Sequence, residues 1–296
     1  MPAELCEITV ASKSALFMPK AGLSGCVFAA IVRDTRGCGL SEAQRWNFFP
    51  ASPLCSVTWY FEGSAKCGFF CSSRELDHIG EVLPKVFVTG PTSLPLASWN
   101  PGPVLALTAG FFPESWALLS GRPVAPIANR IANPQEACSS DFAAILEEVG
   151  KQNDPVPAWA LLERKLESLW QERRPASHPA PRQLADWARS VFTRSMVSGA
   201  GRSVRQAQRR AIARTGQTLR DLHKIVRRDA AFRASADAKR SGNANWSQVA
   251  ADSGFSDQSH FIGYFRKATG FTPQRMADLI DADEALWCYR LFGGNY

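Results

Sequence analysis

No apolar run in this 296-residue chain reaches the ~18 residues a membrane-spanning helix needs. No such helix is therefore expected. Histidine is scarce as well, with four in the whole chain and only His78 among the first 177 residues. A metal-dependent barrel enzyme gathers several histidines and a carboxylate around one ion. That chemistry lacks ligands here, and His78, in RELDHIG, reads as a surface or turn residue. No G-x-S-x-G, H-E-x-x-H or P-loop pattern occurs, so no enzyme is expected, and neither a metal nor a cofactor. The opening MPAELCEITV has acidic residues where a signal peptide carries basic ones, and no apolar centre. A cytoplasmic location is the expectation.

Paired zinc-type cysteine spacings are missing too. The chain has eight cysteines (Cys6, Cys26, Cys38, Cys55, Cys67, Cys71, Cys138 and Cys288), yet no CxxC is matched by a second. Cys67 and Cys71 form a lone CxxxC. Cytosolic thiols stay reduced, so these residues read as small buried hydrophobes. A cysteine-based redox- or metal-responsive regulator is the alternative.

What is present is lopsided charge. Residues 181–296 hold 19 Lys and Arg against 10 Asp and Glu, a net +9, whereas residues 1–180 carry a net −2. A basic half of this kind is drawn to the condensed charge of DNA through counterion release.

The two halves also differ in pattern. CVFAAIVR, SVTWYF, KCGFFC, KVFVTG and VLALTAGFF are short β-type runs, separated by Gly, Pro, Ser or Asn. Strands without helices between them predict an antiparallel barrel or sandwich. Residues 139–173 turn helical. DFAAILEEVG places Phe142, Ile145, Leu146 and Val149 on one face, and AWALLERKLESLWQERR spaces Trp159, Leu162, Leu166 and Leu169 as a narrow apolar stripe. That stripe packs either on the barrel or on a second copy. PASHPAP, residues 175–181, has three prolines and no long apolar side chain, which predicts a stiff, poorly packed domain boundary. The expected division is a β-rich domain over 1–138, a helical and Pro-rich linker over 139–181, and a helical domain over 182–296, each domain with its own core.

Two helical pairs stand out in the last part. In NWSQVAADSGFSDQSHFIGYFRKATGFTP, Trp246, Val249 and Ala250 form the inward face of a first helix, and Gly254 allows a sharp turn. Ser256 or Asp257 then caps a second helix with Phe261, Tyr264 and Phe265 inward. Gly270 closes that helix and Pro273 stops its resumption. Upstream, Ser203 caps a helix from Val204 to Thr215 that ends at Gly216. A long helix from Leu219 to about Arg240, with Leu222, Ile225, Val226 and Phe232 inward, joins the two pairs. A helix, a turn and a second helix with a polar N-terminal end form a helix-turn-helix.

The second pair resembles the second helix-turn-helix of AraC-type (AraC/XylS) transcription regulators, on Ala250, Gly254, Phe255, Ser259, Phe261, Phe265, Gly270, Thr272 and Pro273. The pattern S-x-R-x-x-x-R-R followed by T-G, beginning at Ser203, resembles that family's first recognition helix. The segment around Phe112, Pro113, Trp116 and Leu119 resembles the N-terminal half of one branch. The resemblance implies a cupin-like N-terminal barrel or sandwich with short helices, binding a small effector or mediating a homodimer. It implies a C-terminal all-α domain with two helix-turn-helix motifs on a linker helix. The implied partner is the major groove of double-stranded DNA, and the implied role is activation together with RNA polymerase. Matched onto the family pattern, Arg205, Gln208, Arg209, Gln258, Ser259 and His260 face bases, while Arg202, Arg210, Arg214, Lys224, Arg266 and Lys267 hold phosphates. Gly263 stands where relatives carry a long polar side chain, so the first helix is expected to read more of the sequence. DNA-repair methyl acceptors fused to such a domain share this layout, but they carry a compact four-cysteine cluster that the spacings at 38, 55, 67 and 71 do not match.

Overall fold

Residues along the strand Cys55–Glu62 alternate between two destinations. Cys55, Val57 and Trp59 are buried in a core shared with helices, while Ser56, Thr58 and Tyr60 line an internal cavity. The pleat imposes this period of two, and it explains the layered architecture of the first half of the chain.

The computed structural model describes residues 12–70, 79–181, 183–197, 203–240 and 245–293. The strands are β1 (Lys13–Phe17), β2 (Val27–Asp34), β3 (Trp46–Phe49), β4 (Cys55–Glu62), β5 (Lys66–Phe69), β6 (Val86–Thr89), β7 (Leu96–Trp99), β8 (Leu105–Phe111) and β9 (Ile131–Ala132). They form a six-stranded sheet in the order β1-β2-β8-β4-β6-β9 and a three-stranded sheet in the order β3-β7-β5. Every pairing is antiparallel, with Val57 opposite Ala109 and Thr58 opposite Thr108 at the centre. The expected β-rich N-terminal part is therefore two antiparallel sheets. All five anticipated strand segments are present, and β1, β3, β7 and β9 are additional.

The outer face of the larger sheet is covered by α1 (Pro113–Ser120), α2 (Pro134–Ala137), α3 (Ser140–Gly150) and α4 (Pro155–Arg173). Trp59, Phe111, Trp116, Phe142, Leu146 and Trp170 fill this layer, and the Trp59 indole N–H donates to the Leu146 carbonyl at 2.8 Å. The apolar stripe of α4 is used here: Trp159, Leu162 and Leu166 are buried in the same core, with Leu169 packed against it. It is thus covered by the chain's own sheet.

The second half comprises α5 (Leu184–Val197), α6 (Val204–Thr215), α7 (Leu219–Arg240), α8 (Trp246–Asp252), α9 (Gln258–Thr269), α10 (Pro273–Leu279) and α11 (Trp287–Gly293). Pro273 does more than stop α9, because it opens α10 at a position where its missing N–H is not needed.

Two expectations about the boundary change. PASHPAP is seated rather than loose: the His178 ring meets Trp170 edge-on at 4.8 Å, and a Cβ added to Gly25 would lie 2.5 Å from the Pro179 carbonyl oxygen. A proline-stiffened segment has little freedom to lose on docking. Nor do the halves keep separate cores. Leu54 and Phe112 from the first half are buried in one cluster with Leu184, Trp187, Ala207, Ala211 and Leu222. The Ala51 N–H also donates to the Ala268 carbonyl at 2.8 Å.

Candidate nucleic-acid interface

The first helix pair owes its shape to small residues. Ala207 and Ala211, at one helical turn's spacing, are buried against α5 and α7, so the backbones approach closely. The Ser203 side chain accepts from the Gln206 N–H, and Gly216 at φ +69° ends α6. Both termini fall where the sequence places them. The second pair is built on rings instead. Trp246, Phe255, Phe261 and Phe265 share a core, with Phe255 against Phe261 at 5.4 Å. Asn245 caps α8 by accepting from the N–H groups of Ser247 and Gln248. Asp257, rather than Ser256, caps α9 by accepting from the His260 N–H. That bond, followed by one from Ser256, holds the Asp257 carboxyl below its ordinary value. Gly254 adopts φ +76° with open space around it, so the turn needs glycine for its backbone rather than for room.

These frames present the predicted contacts unevenly. Arg205 and Arg209 lie exposed along α6, without an ion pair or side-chain hydrogen bond among the described residues. Gln208 is half-buried, and its Oε1 accepts from the Leu219 N–H at 3.2 Å, which helps to cap α7. Bidentate recognition of adenine needs both its amide oxygen and nitrogen, so it would require breaking that bond. On α9, Gln258, Ser259 and His260 are exposed together. Gln258 accepts from the Ser247 hydroxyl at 2.7 Å, and the His260 ring stands edge-on to Phe255 at 5.4 Å. Gly263 is exposed with nothing near it.

The phosphate candidates divide further. Arg266 and Lys267 are exposed. Arg210 donates through Nε to the Ser195 carbonyl at 2.9 Å and so ties α6 to α5. Arg214 reaches Glu114 of α1 at 4.0 Å, and Lys224 pairs with Asp221 at 2.8 Å. Lys224 and Lys267 border a cleft whose other wall is formed by Pro53, Thr92 and Asn129 of the β-rich half. Arg202 lies outside the described residues.

Sequence reasoning missed Glu114. It binds Arg194 of α5 through two bonds, at 2.9 and 2.6 Å, and thereby anchors the first helix pair to the β-rich half. The only local signal is an acidic residue in the first turn of a proline-started helix. Arg33, Asn47, Glu284 and Trp287 were missed too. Arg33 is buried, donates to Glu284 at 2.6 Å and lies 5.0 Å over the Trp287 ring.

Cys26, Cys38, Cys55, Cys67, Cys138 and Cys288 are all buried. Burial pushes the thiols of Cys67, Cys138 and Cys288 up to about 12, which leaves them protonated and poorly reactive. No group of three or more His, Cys, Asp or Glu suited to a metal occurs among the described residues. Cys6, Cys71 and His78 lie outside them. No described helix is long and apolar enough to cross a membrane.

Residues 196–278 match the helix-turn-helix domain family, a span from the end of α5 to α10. No curated protein matches the chain. Solved structures of ToxT from Vibrio cholerae align at low identity. One, in a P21 crystal form, is 11% identical over 91% of this chain and 98% of its own, with a TM-score of 0.35. Another, of the wild type with an unsaturated fatty acid bound, is 12% identical over 88% and 97%, with a TM-score of 0.37. The AraC-like transcriptional activator CuxR is 13% identical over 95% and 91%, with a TM-score of 0.25. Overlaps this loose leave the site to be read from its own geometry.

Proposed function

We propose that the chain, whose residues 196–278 match a helix-turn-helix domain family, is an AraC-type DNA-binding transcription regulator that reads a specific duplex through α6 and α9 and responds to a small effector held between its two sheets. One observation carries the DNA reading. Two capped helices, joined by α7, expose polar N-terminal turns, and the first of them bears Arg205 and Arg209 without partners among the described residues. Arginine at such a position bonds guanine O6 and N7 bidentately. Gln258, Ser259 and His260 contribute from α9, with shorter reach because Gly263 offers no side chain. Arg266 and Lys267 suit phosphates as they stand, whereas Arg210, Arg214 and Lys224 would first leave internal partners. Of these, Arg214 is held by Glu114 of the β-rich half, and that contact, with the Arg194–Glu114 pair, supports a form in which the β-rich half restrains the DNA-binding half.

The effector reading is supported by a cavity of about 170 Å³ between the sheets. The domain limits proposed are an effector domain ending near residue 138, a helical connection to 181, and DNA binding from 182 onward. Activation through RNA polymerase, in the cytoplasm, is the role the AraC-type resemblance supports. The experiment is a gel-shift selection of bound duplexes, followed by Arg205→Ala. Specific binding should weaken ~5- to 150-fold, corresponding to the loss of a bidentate base contact, with random duplex nearly unaffected. An equal loss on both duplexes would remove Arg205 from base reading.

A further inference from the structure

The segment beyond the second helix pair belongs to two places at once. Leu286 and Tyr289 are buried in the core of that pair with Phe261 and Phe265. Between them in sequence, Trp287 and Cys288 line the cavity of the β-rich half. The segment is held there by polar bonds as well as packing. The Trp287 indole N–H donates to Asn47 Oδ1 at 2.8 Å. Glu284, three residues before Trp287, takes the Arg33 guanidinium at 2.6 Å and accepts from the Ser12 hydroxyl.

The cavity's chemistry limits what can enter. Its volume of about 170 Å³ is close to the roughly 150 Å³ of an apolar cavity that takes benzene. Ile31, Phe49, Phe87 and Val104 supply apolar walls, and the polar groups among them largely satisfy one another. Asn47 Nδ2 donates to Asn100 Oδ1 at 2.7 Å, Asn100 Nδ2 to the Ser64 carbonyl at 2.9 Å, and the Thr58 and Thr108 hydroxyls are 3.0 Å apart. Arg33 is the only Lys or Arg among the described residues of the lining, and Glu284 already neutralises it. A carboxylate ligand would bury a charge with no free counter-charge, a costly arrangement. An uncharged ligand faces no such penalty.

We infer that the cavity between the sheets and the segment Glu284–Gly293 together form one ligand site, which takes an uncharged, mainly apolar molecule of about one ring. The inference rests on reading the β-rich half as the effector domain. It adds the chemical class of ligand and makes the second helix pair a direct party to its binding, since Leu286 and Tyr289 move with Trp287.

The test uses the full-length chain and two probes, cyclohexanone and cyclohexanecarboxylate, followed by calorimetry and hydrogen exchange. Cyclohexanone should bind saturably at one site, at least tenfold tighter than the acid, and should slow exchange across residues 284–293. Trp287→Ala should weaken cyclohexanone at least tenfold, and Ala106→Leu, which fills the cavity, should abolish its binding. Should Trp287→Ala fail to fold, Cys288→Ala serves as the milder variant and should also weaken it. Equal or tighter binding of the acid overturns the ligand class. Unchanged affinity in the folded Trp287→Ala or Cys288→Ala variant overturns the shared site, and no binding of either probe overturns both. A gel shift on the same protein without probe is scored separately, so a failed cavity leaves the DNA reading standing and a failed gel shift is recognised as such.

Discussion

The two helix-turn-helix pairs solve the same packing problem with opposite materials. The second uses four aromatic rings, Trp246, Phe255, Phe261 and Phe265, and most of its core comes from its own helices. The first uses Ala207 and Ala211, and completes its core with Leu54 and Phe112 from the other half of the chain. Large rings bury enough area to hold a small motif nearly alone, whereas alanines bury little and need neighbours. The first pair is therefore dependent on the β-rich half for its shape, although it carries the more exposed arginines. The second is tied to that half by the Ala51–Ala268 bond and the Phe48 ring and, at its far end, through the segment from Glu284.

The largest effects should come from emptying each core. Phe261→Ala should cost ~3–5 kcal/mol and Leu54→Ala ~2–5 kcal/mol in denaturant unfolding. Hydrogen exchange should then separate them. Phe261→Ala should release protection across α8 and α9 first, and Leu54→Ala across α6, although Leu54 lies in the β-rich half. Protection lost in α9 rather than α6 on Leu54→Ala would end the claim that the first pair borrows its core.

Next in size is the difference between the reading helices. Losing Arg209 should cost ~1–3 kcal/mol of specific binding. Gln258→Ala should cost less, because the side chain already bonds Ser247. Quantitative gel shifts on the selected duplex decide, and a larger loss for Gln258→Ala would reverse the ranking.

Smaller again is the restraint imposed by Glu114. Glu114→Gln should loosen Arg194 and Arg214 for phosphate, making the dependence of log affinity on log salt steeper by about one for each arginine that reaches a phosphate. A slope identical to the parent would show that these arginines contact no phosphate.

The smallest effect concerns pH and the far tether. Burial alone would raise the Glu284 carboxyl, but the bonds from Ser12 and Arg33 and the charge of Arg33 hold it below its ordinary 4.5. A depressed carboxyl contributes stability that is present above its unfolded value and lost as pH falls through its folded value. The stability gap between parent and Glu284→Gln should be constant above pH 5 and shrink below 4.5. A gap that persists undiminished at lower pH would show that the carboxylate's charge does not hold the tether.

Local signals account for most of what the sequence disclosed. Ser203, Gly216, Asp257 and Gly270 mark helix ends because capping is a matter of neighbouring backbone groups, and Leu219 to Arg240 was legible from its apolar spacing. The strands with long Val-, Phe- and Trp-rich runs were legible for the same reason. The short strands β3 and β7 were not, since WNFF and LASW carry too few residues to show a period and sit among prolines and serines. What brings Glu114 to Arg194, or Trp287 to Asn47, is tertiary packing between residues 80 and 240 positions apart. No window along the chain contains it. The seating of PASHPAP was hidden likewise, because its partners Trp170 and Gly25 lie elsewhere.

The Phe112–Trp187 contact, with ring centres 6.0 Å apart, has a consequence for how such a protein can be divided. Regulators are often treated as interchangeable cassettes, with one sensing half grafted onto another chain's reading half. Cutting this chain near residue 181 would leave the Trp187 face, with Leu184 and Val191, open to water, and chimaeras lacking a matching phenylalanine would inherit a sticky surface. The unit that can be exchanged by recombination here is the whole chain.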